Sequence, residues 1–142
     1  MTLRNALIAT FGVLFLSVPA LAQDAPPNVT GVWSGTFTGG VRGGGGQLAA
    51  ADEAPRFVQP GDRDITLTID EQDGRGFVGR IASNLGSEAV QGVIRLDNRT
   101  LLMVDDDSTQ TATLLSDGEM EFCNHSRTVY DRFTMCFLLM RE

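Results

Sequence analysis

The residue types that could support catalysis lie around the single histidine, His125. It belongs to the segment Asn124-His125-Ser126-Arg127, and Asp131 follows shortly after. As a general base, His125 would need a nucleophile and an orienting carboxylate within hydrogen-bond reach, and Ser126 and Asp131 are the groups available. A solvated loop histidine is the simpler interpretation, because spacing alone does not assemble such a site. We therefore predict a non-enzymatic protein with no catalytic residue and no cofactor.

Three consecutive carboxylates occur in Asp105-Asp106-Asp107-Ser108, at a predicted hairpin tip. A calcium ion takes 6 to 8 oxygen ligands, so such a cluster is one way to begin a calcium site. The spacing lacks the glycine and the distal glutamate of an EF-hand loop. A solvated turn whose charges discourage edge pairing is the favoured interpretation, and no metal site is predicted.

The glycine-rich stretch from Gly39 to Arg63 interrupts the otherwise regular pattern. Its run Gly43 to Gly46 does not follow a phosphate-binding pattern, because no Lys-Ser or Lys-Thr follows it. A connection of this length within a compact domain is either a functional lid or a disordered insertion, and composition does not decide between them. Residues Gln47 to Glu53 could form a short helical turn inside it.

The first 22 residues have the pattern of a cleavable secretory signal. Arg4 precedes an uncharged apolar run from Ala6 to Val18, and Pro19-Ala20-Leu21-Ala22 has the small-x-small form of a cleavage site. The run is shorter than the roughly 20 residues of a membrane-spanning helix. We expect cleavage after Ala22 and a soluble product in the bacterial periplasm or outside the cell.

Length indicates the number of domains, and charge limits the kinds of partner. Residues 23–142 are the length of a single domain with one core. The full chain has a formal net charge of −7, and removing Arg4 makes it one unit more negative, which argues against nucleic acid or an anionic membrane as partner. Lysine is absent, which excludes Schiff-base chemistry on a lysine.

Short runs rich in Val, Ile, Thr and Phe, separated by turn residues, predict antiparallel strands and hairpins. Asp73-Gly74, Asp97-Asn98 and Asp117-Gly118 each offer residues that tolerate a positive φ between two apolar runs. Closing eight sequential strands into an up-and-down barrel removes the exposed edges, and a β-sandwich is the alternative. The predicted strands are 29–38, 64–70, 75–83, 88–96, 99–105, 108–115, 118–124 and 132–140.

Cys123 and Cys136 are the only cysteines, and in an exported chain they most simply form one disulfide. If they lie opposite each other in the last hairpin, one register satisfies both the bridge and an apolar face. That register also pairs Phe122 with Phe137 and Met120 with Leu139.

The opening sequence Asn28-Val29-Thr30-Gly31-Val32-Trp33-Ser34-Gly35 resembles the first strand of lipocalin and avidin-type barrels, with their Gly-x-Trp motif. Gly76-Phe77-Val78-Gly79 is similar to a glycine-rich strand of avidins. The resemblance implies that Trp33 lies near a closed barrel end and that Arg141 covers it, with Gly31, Trp33 and Arg141 as structural residues.

Two departures from those families bear on function. Avidin-type biotin pockets are lined by several tryptophans, whereas Trp33 is the only one here, so biotin binding is not expected. The second lipocalin motif, Thr-Asp-Tyr, is missing, since the single tyrosine occurs in Val129-Tyr130-Asp131. Small periplasmic protease inhibitors have the same kind of barrel, so the fold leaves function open.

Apolar side chains on the predicted inner face either pack the core or line a pocket for an apolar molecule. We predict a binding protein for a small apolar ligand or for an exported protein, with its oligomeric state left open. The alternative is an inhibitor of an exported protease, acting through Gln23–Asn28 or through residues 40–60. The candidate ligand-binding residues are Phe77, Ile94, Val104, Leu114, Phe122 and Phe137.

Overall fold

The computed structural model describes residues 25–44, 55–59, 64–127 and 131–142. The predicted signal segment and the possible helical turn at Gln47–Glu53 lie outside these residues. Within them, no helix has the length and apolar character to cross a membrane. The strands are β1 (Gly31–Thr36), β2 (Gly40–Gly44), β3 (Arg56–Val58), β4 (Asp64–Asp73), β5 (Gly76–Ser83), β6 (Gly86–Ile94), β7 (Thr100–Val104), β8 (Ser108–Ser116), β9 (Glu119–Arg127) and β10 (Asp131–Arg141).

Eight of the strands form a closed antiparallel barrel in the order β1-β4-β5-β6-β7-β8-β9-β10. The barrel closes where β1 pairs with β10, with Trp33 opposite Arg141 and Ser34 opposite Met140. Each of the eight predicted strands corresponds to one of these barrel strands. The prediction of an eight-stranded antiparallel barrel is therefore confirmed, and the sandwich alternative is wrong.

Strands β2 and β3 lie outside the barrel and correct the prediction of one long loop from Gly39 to Arg63. Strand β2 pairs with the first half of β10, from Met135 opposite Gly40 to Asp131 opposite Gly44, and β3 then pairs with β2. The glycine content predicted a loop, whereas these glycines allow the backbone of β2 to lie close to that of β10. A Cβ on Gly40 would lie only 2.7 Å from the carbonyl oxygen of Thr134.

The core follows from the alternation of side chains along each strand. In β4, Ile65, Leu67 and Ile69 are buried while the residues between them are partly accessible. The rings of Phe122 and Phe137 face each other across β9 and β10, with centroids 5.5 Å apart. The apolar interior is thus continuous around the barrel.

The prediction that Val104 lies on the inner face is wrong. Along β7, Leu101 and Met103 are buried, whereas Leu102 and Val104 are each 41% exposed. The run Leu101-Leu102-Met103-Val104 is apolar throughout, so alternation could not show which residues face inward. Val104 lies on the outer surface, where Leu102 pairs with Val93 of β6.

The last hairpin has the predicted register. Cys123 lies opposite Cys136, and the two sulfurs are bonded. The same pairing places Phe122 opposite Phe137 and Met120 opposite Leu139. The disulfide is on the outer face of the barrel, since Cys136 is exposed while Phe122 and Phe137 are buried.

One end of the barrel is filled by Trp33, whose side chain is fully buried. Its indole N–H donates a hydrogen bond of 3.0 Å to the carbonyl of Val29. The Arg141 guanidinium lies over the indole and donates to the carbonyl of Thr30. Gly31, at φ 123°, begins the strand beside Arg141. We call this the closed end.

Candidate functional site

A cavity of about 490 Å³ lies at the end of the barrel away from Trp33. We call this the open end. Eight of the described strands, together with Phe37 after β1, bring residues to it. Its two walls differ in chemistry, because different strands supply them.

The apolar wall is formed by β4, β5, β10 and the residue that follows β1. Phe37 and Ile65 are buried, and Ile81, Phe133 and Met135 are half-buried. The rings of Phe37 and Phe133 lie with centroids 6.0 Å apart. These five side chains present hydrocarbon and aromatic surface to the cavity.

The polar wall is formed by β6, β8, β9 and the turn after β7, where each inner face changes from apolar to polar towards the open end. Glu88 lies opposite Ile81 across β5 and β6, so both side chains share the inner face. In the same alternation, Asp105 follows Met103, Gln110 precedes Ala112, and Asn124 follows Phe122. Ser108 and Ser126 also line this wall.

Asp105 organises the turn between β7 and β8. Its Oδ1 accepts hydrogen bonds from the backbone N–H of Asp107 at 3.1 Å and of Ser108 at 2.6 Å. Its Oδ2 accepts from the Ser108 hydroxyl at 2.7 Å. The predicted turn is present, and these bonds fix the Asp105 carboxylate at the rim of the cavity.

Glu88 joins two of the turn carboxylates to form an acidic cluster. One carboxylate oxygen from each of Glu88, Asp105 and Asp107 lies within 4.8 Å of the other two. Partial burial raises the pKa of Glu88, and the negative charges of Asp105, Asp107 and Asp106 raise it further. The rim therefore has a negative potential, and sequence reasoning missed the contribution of Glu88.

Two amide side chains on the polar wall have oxygen atoms without hydrogen-bond partners. Gln110 is only 2% exposed, and its Nε2 donates to Asp105 and to the Ser108 hydroxyl. Its Oε1 is buried and accepts no hydrogen bond from the described residues, and the same is true of Asn124 Oδ1. A buried acceptor without a donor costs free energy, so a donor that reached either oxygen would stabilise this part of the wall.

The side chains of His125 and Ser126, two of the residues considered for catalysis, lie on opposite faces of β9. His125 is exposed, whereas its neighbour Ser126 lines the cavity. Adjacent residues of a strand point to opposite faces of the sheet, so these two side chains diverge. The predicted loop from Asn124 to Arg127 is the end of β9, and the backbone of Asp131 begins β10 opposite Gly44.

None of the six predicted ligand-binding residues lines this cavity. Phe77, Ile94, Phe122 and Phe137 are buried in the core, and Leu114 packs against it. Val104 faces outward. The cavity lies further along the same inner faces, where the residues are polar. Extending the period-two pattern past the apolar stripe would have identified Glu88, Gln110 and Asn124.

In comparisons with known proteins, no protein-family model, no curated protein and no solved structure matches this chain.

Proposed function

We propose that this protein is a non-enzymatic, exported barrel that binds a small ligand with an apolar body at its open end. The observation that carries the proposal is the cavity of about 490 Å³ with one wall of apolar side chains. Small-molecule sites commonly measure roughly 300 to 1,000 Å³, and they combine apolar surface with a few polar groups. The buried core residues in the rest of the barrel pack together and support the strands that line this cavity.

Export is supported by the disulfide and by the leader-like N-terminal sequence. Cys123 and Cys136 are bonded, and disulfides persist mainly in oxidising compartments such as the periplasm and the extracellular space. The apolar run from Ala6 to Val18 followed by small residues has the form of a secretory signal.

A lipocalin-like or avidin-like relationship is part of the proposal. Its support is the closed end, where the tryptophan of the Gly-x-Trp motif is buried under the arginine that ends the last strand. Barrels of this architecture host many functions, so this relationship supports a ligand within the barrel and leaves its identity open.

Protease inhibition has less support, because the segment before β1 is fastened to the barrel. Gln72 donates to the carbonyl of Pro27 at 2.9 Å and accepts from the N–H of Val29 at 2.9 Å. Asn98 donates to the carbonyl of Ala25 at 3.4 Å. Residues 25–29 would have to leave these partners before entering a protease.

The test is binding of an environment-sensitive apolar dye to the purified protein. We expect saturable binding to the wild type and loss of binding in Ile81→Trp, which fills the cavity from its apolar wall. Leu102→Gln is the matched control, because Leu102 lies on the outer apolar surface. Absence of saturable binding, or loss of binding in Leu102→Gln alone, would refute the proposal.

A further inference from the structure

We propose that the ligand of the open-end cavity is an amphipathic primary amine, with its ammonium group among the oxygens of the polar wall and its apolar body against the opposite wall. This inference rests on the proposed ligand-binding function and specifies the class of ligand. Three independent features of the cavity lead to it.

The first feature is charge. Glu88, Asp105 and Asp107 bring their carboxylates within 4.8 Å of one another at the rim. Like charges so close repel each other, and a bound cation relieves that repulsion. The rim thus favours a cationic group over a neutral or anionic one.

The second feature is the demand for hydrogen-bond donors. Gln110 Oε1 and Asn124 Oδ1 are buried acceptors without partners in the described part of the chain, and Gln110 is 98% buried on the inner face of β8. An ammonium group carries three N–H donors, whereas a quaternary ammonium carries none. A primary amine therefore satisfies both the charge and the unpartnered oxygens.

The third feature is the size and division of the cavity. At about 490 Å³ it is much larger than a single ion needs, and apolar side chains line it beside the carboxylates. Ile65, Ile81 and Met135 would contact the hydrocarbon part of a ligand whose ammonium faces Glu88 and Asp105. An inorganic cation would use only the polar wall.

Arg42 also lines the cavity, from β2, and has an interaction of its own. The charges that shift the pKa of Glu88 are those of Asp105, Asp107 and Asp106. Negative charge therefore dominates around Glu88, on the side of the cavity formed by β6 and the turn after β7.

The experiment compares four ten-carbon probes by calorimetric titration, namely decylamine, decyltrimethylammonium, decanol and decanoate. We expect decylamine to bind most tightly, by about tenfold or more over decanol, the size of effect of one charged hydrogen bond. Decyltrimethylammonium should fall between them, because it has the charge without the donors.

The double variant Glu88→Gln/Asp107→Asn should remove the preference for decylamine while leaving decanol binding unchanged. Asp105 is retained because it organises the turn. Glu121→Gln is the matched control, since Glu121 is an exposed carboxylate of β9 whose neighbours on the inner face are core residues. It should bind all four probes as the wild type does.

Other results would overturn the inference in distinguishable ways. If decanol or decanoate binds as tightly as decylamine, the headgroup inference fails while the ligand-binding function stands. If none of the four probes binds, the proposed function itself fails. Calcium ions are tested alone and in competition, and micromolar calcium binding that displaces decylamine would make the cluster a metal site and refute the amine.

Discussion

The guanidinium carbon of Arg141 lies 5.1 Å from the ring centroid of Trp33. Arg141 also donates to the carbonyls of Asn28 and Asp117, each at 3.4 Å, and to that of Thr30. One side chain from the last strand thus covers the indole and joins the segment before β1 to the turn between β8 and β9. The closed end therefore depends on a planar, multiply donating cation.

Replacing Arg141 by lysine should lower the free energy of unfolding by about 1 to 2 kcal/mol, because lysine keeps the charge and loses the planar fork of donors. Urea unfolding monitored by the fluorescence of Trp33, the only tryptophan, measures the loss. Arg99→Lys at an exposed position is the control. Equal stability of Arg141→Lys and wild type would contradict this interpretation of the closed end.

The disulfide should contribute about 3 kcal/mol through the chain entropy of the unfolded state. The variant Cys123→Ser/Cys136→Ser should show this loss in urea unfolding, with no change in the β-rich circular dichroism spectrum, because the bridge lies on the outer face. Wild-type protein treated with a reductant should show the same loss. Unchanged stability in both samples would mean that the bridge does not constrain the fold.

Closure of the barrel should be sensitive to side-chain size at Gly35. A Cβ there would lie 2.0 Å from the carbonyl oxygen of Leu138, so β1 and β10 would have to separate. Gly35→Ala should cost about 1 to 3 kcal/mol, as overpacking does. Gly118→Ala is the matched control, since a Cβ at Gly118 meets nothing within 4 Å. Similar stabilities of the two variants would argue against closure at this point.

Glu88 should make the protein less stable as the pH rises. Its pKa is raised from 4.5 in the folded protein, so the folded state holds its proton over a range in which the unfolded state has lost it. Stability therefore falls with pH from about 4.5 up through the folded pKa. Glu88→Gln should gain a few tenths of a kcal/mol at pH 7 and nothing at pH 3. A loss of stability at pH 7 would contradict this prediction.

Asp97 should have the opposite pH dependence. Hydrogen bonds from the backbone N–H groups of Thr100 and Arg99 and from the Thr100 hydroxyl lower its pKa from 3.8 to about 2. The stability it provides is complete above about pH 3.8 and declines as the pH falls towards 2. Asp97→Ala should lower the Tm at pH 7 and have less effect near pH 2. An effect that does not vary with pH would mean that the turn depends on shape alone.

Most of the fold could be predicted from the sequence, because the turn residues and the apolar runs predict the same hairpins. The three predicted turns lie between paired strands, and Gly74 and Asn98 have φ near 56°. The hairpin register followed from two constraints, the cysteines and the apolar face. Strands β2 and β3 were missed because they pair with the distant β10, and glycine-rich composition does not encode such long-range pairing.

The site was less predictable, because apolar character was used to locate the interior. Glu88 is 17 residues from Asp105 along the chain, and only the pairing of β6 with β7 brings them together. Gln110 shares the inward alternation of Ala112 and Leu114, but a glutamine was not expected in an interior that was located by apolar residues alone. Strand pairing determines both positions.

Nuclear Overhauser effects between bound decylamine and the methyl groups of the protein test whether the ligand lies in the open-end cavity. We predict contacts from the alkyl chain to Ile81 and Met135 at the open end, and none to Leu102 or Val104 on the outer surface. Contacts confined to Leu102 and Val104 would show that the ligand binds outside the barrel, and would contradict the proposal that the open-end cavity is the ligand site.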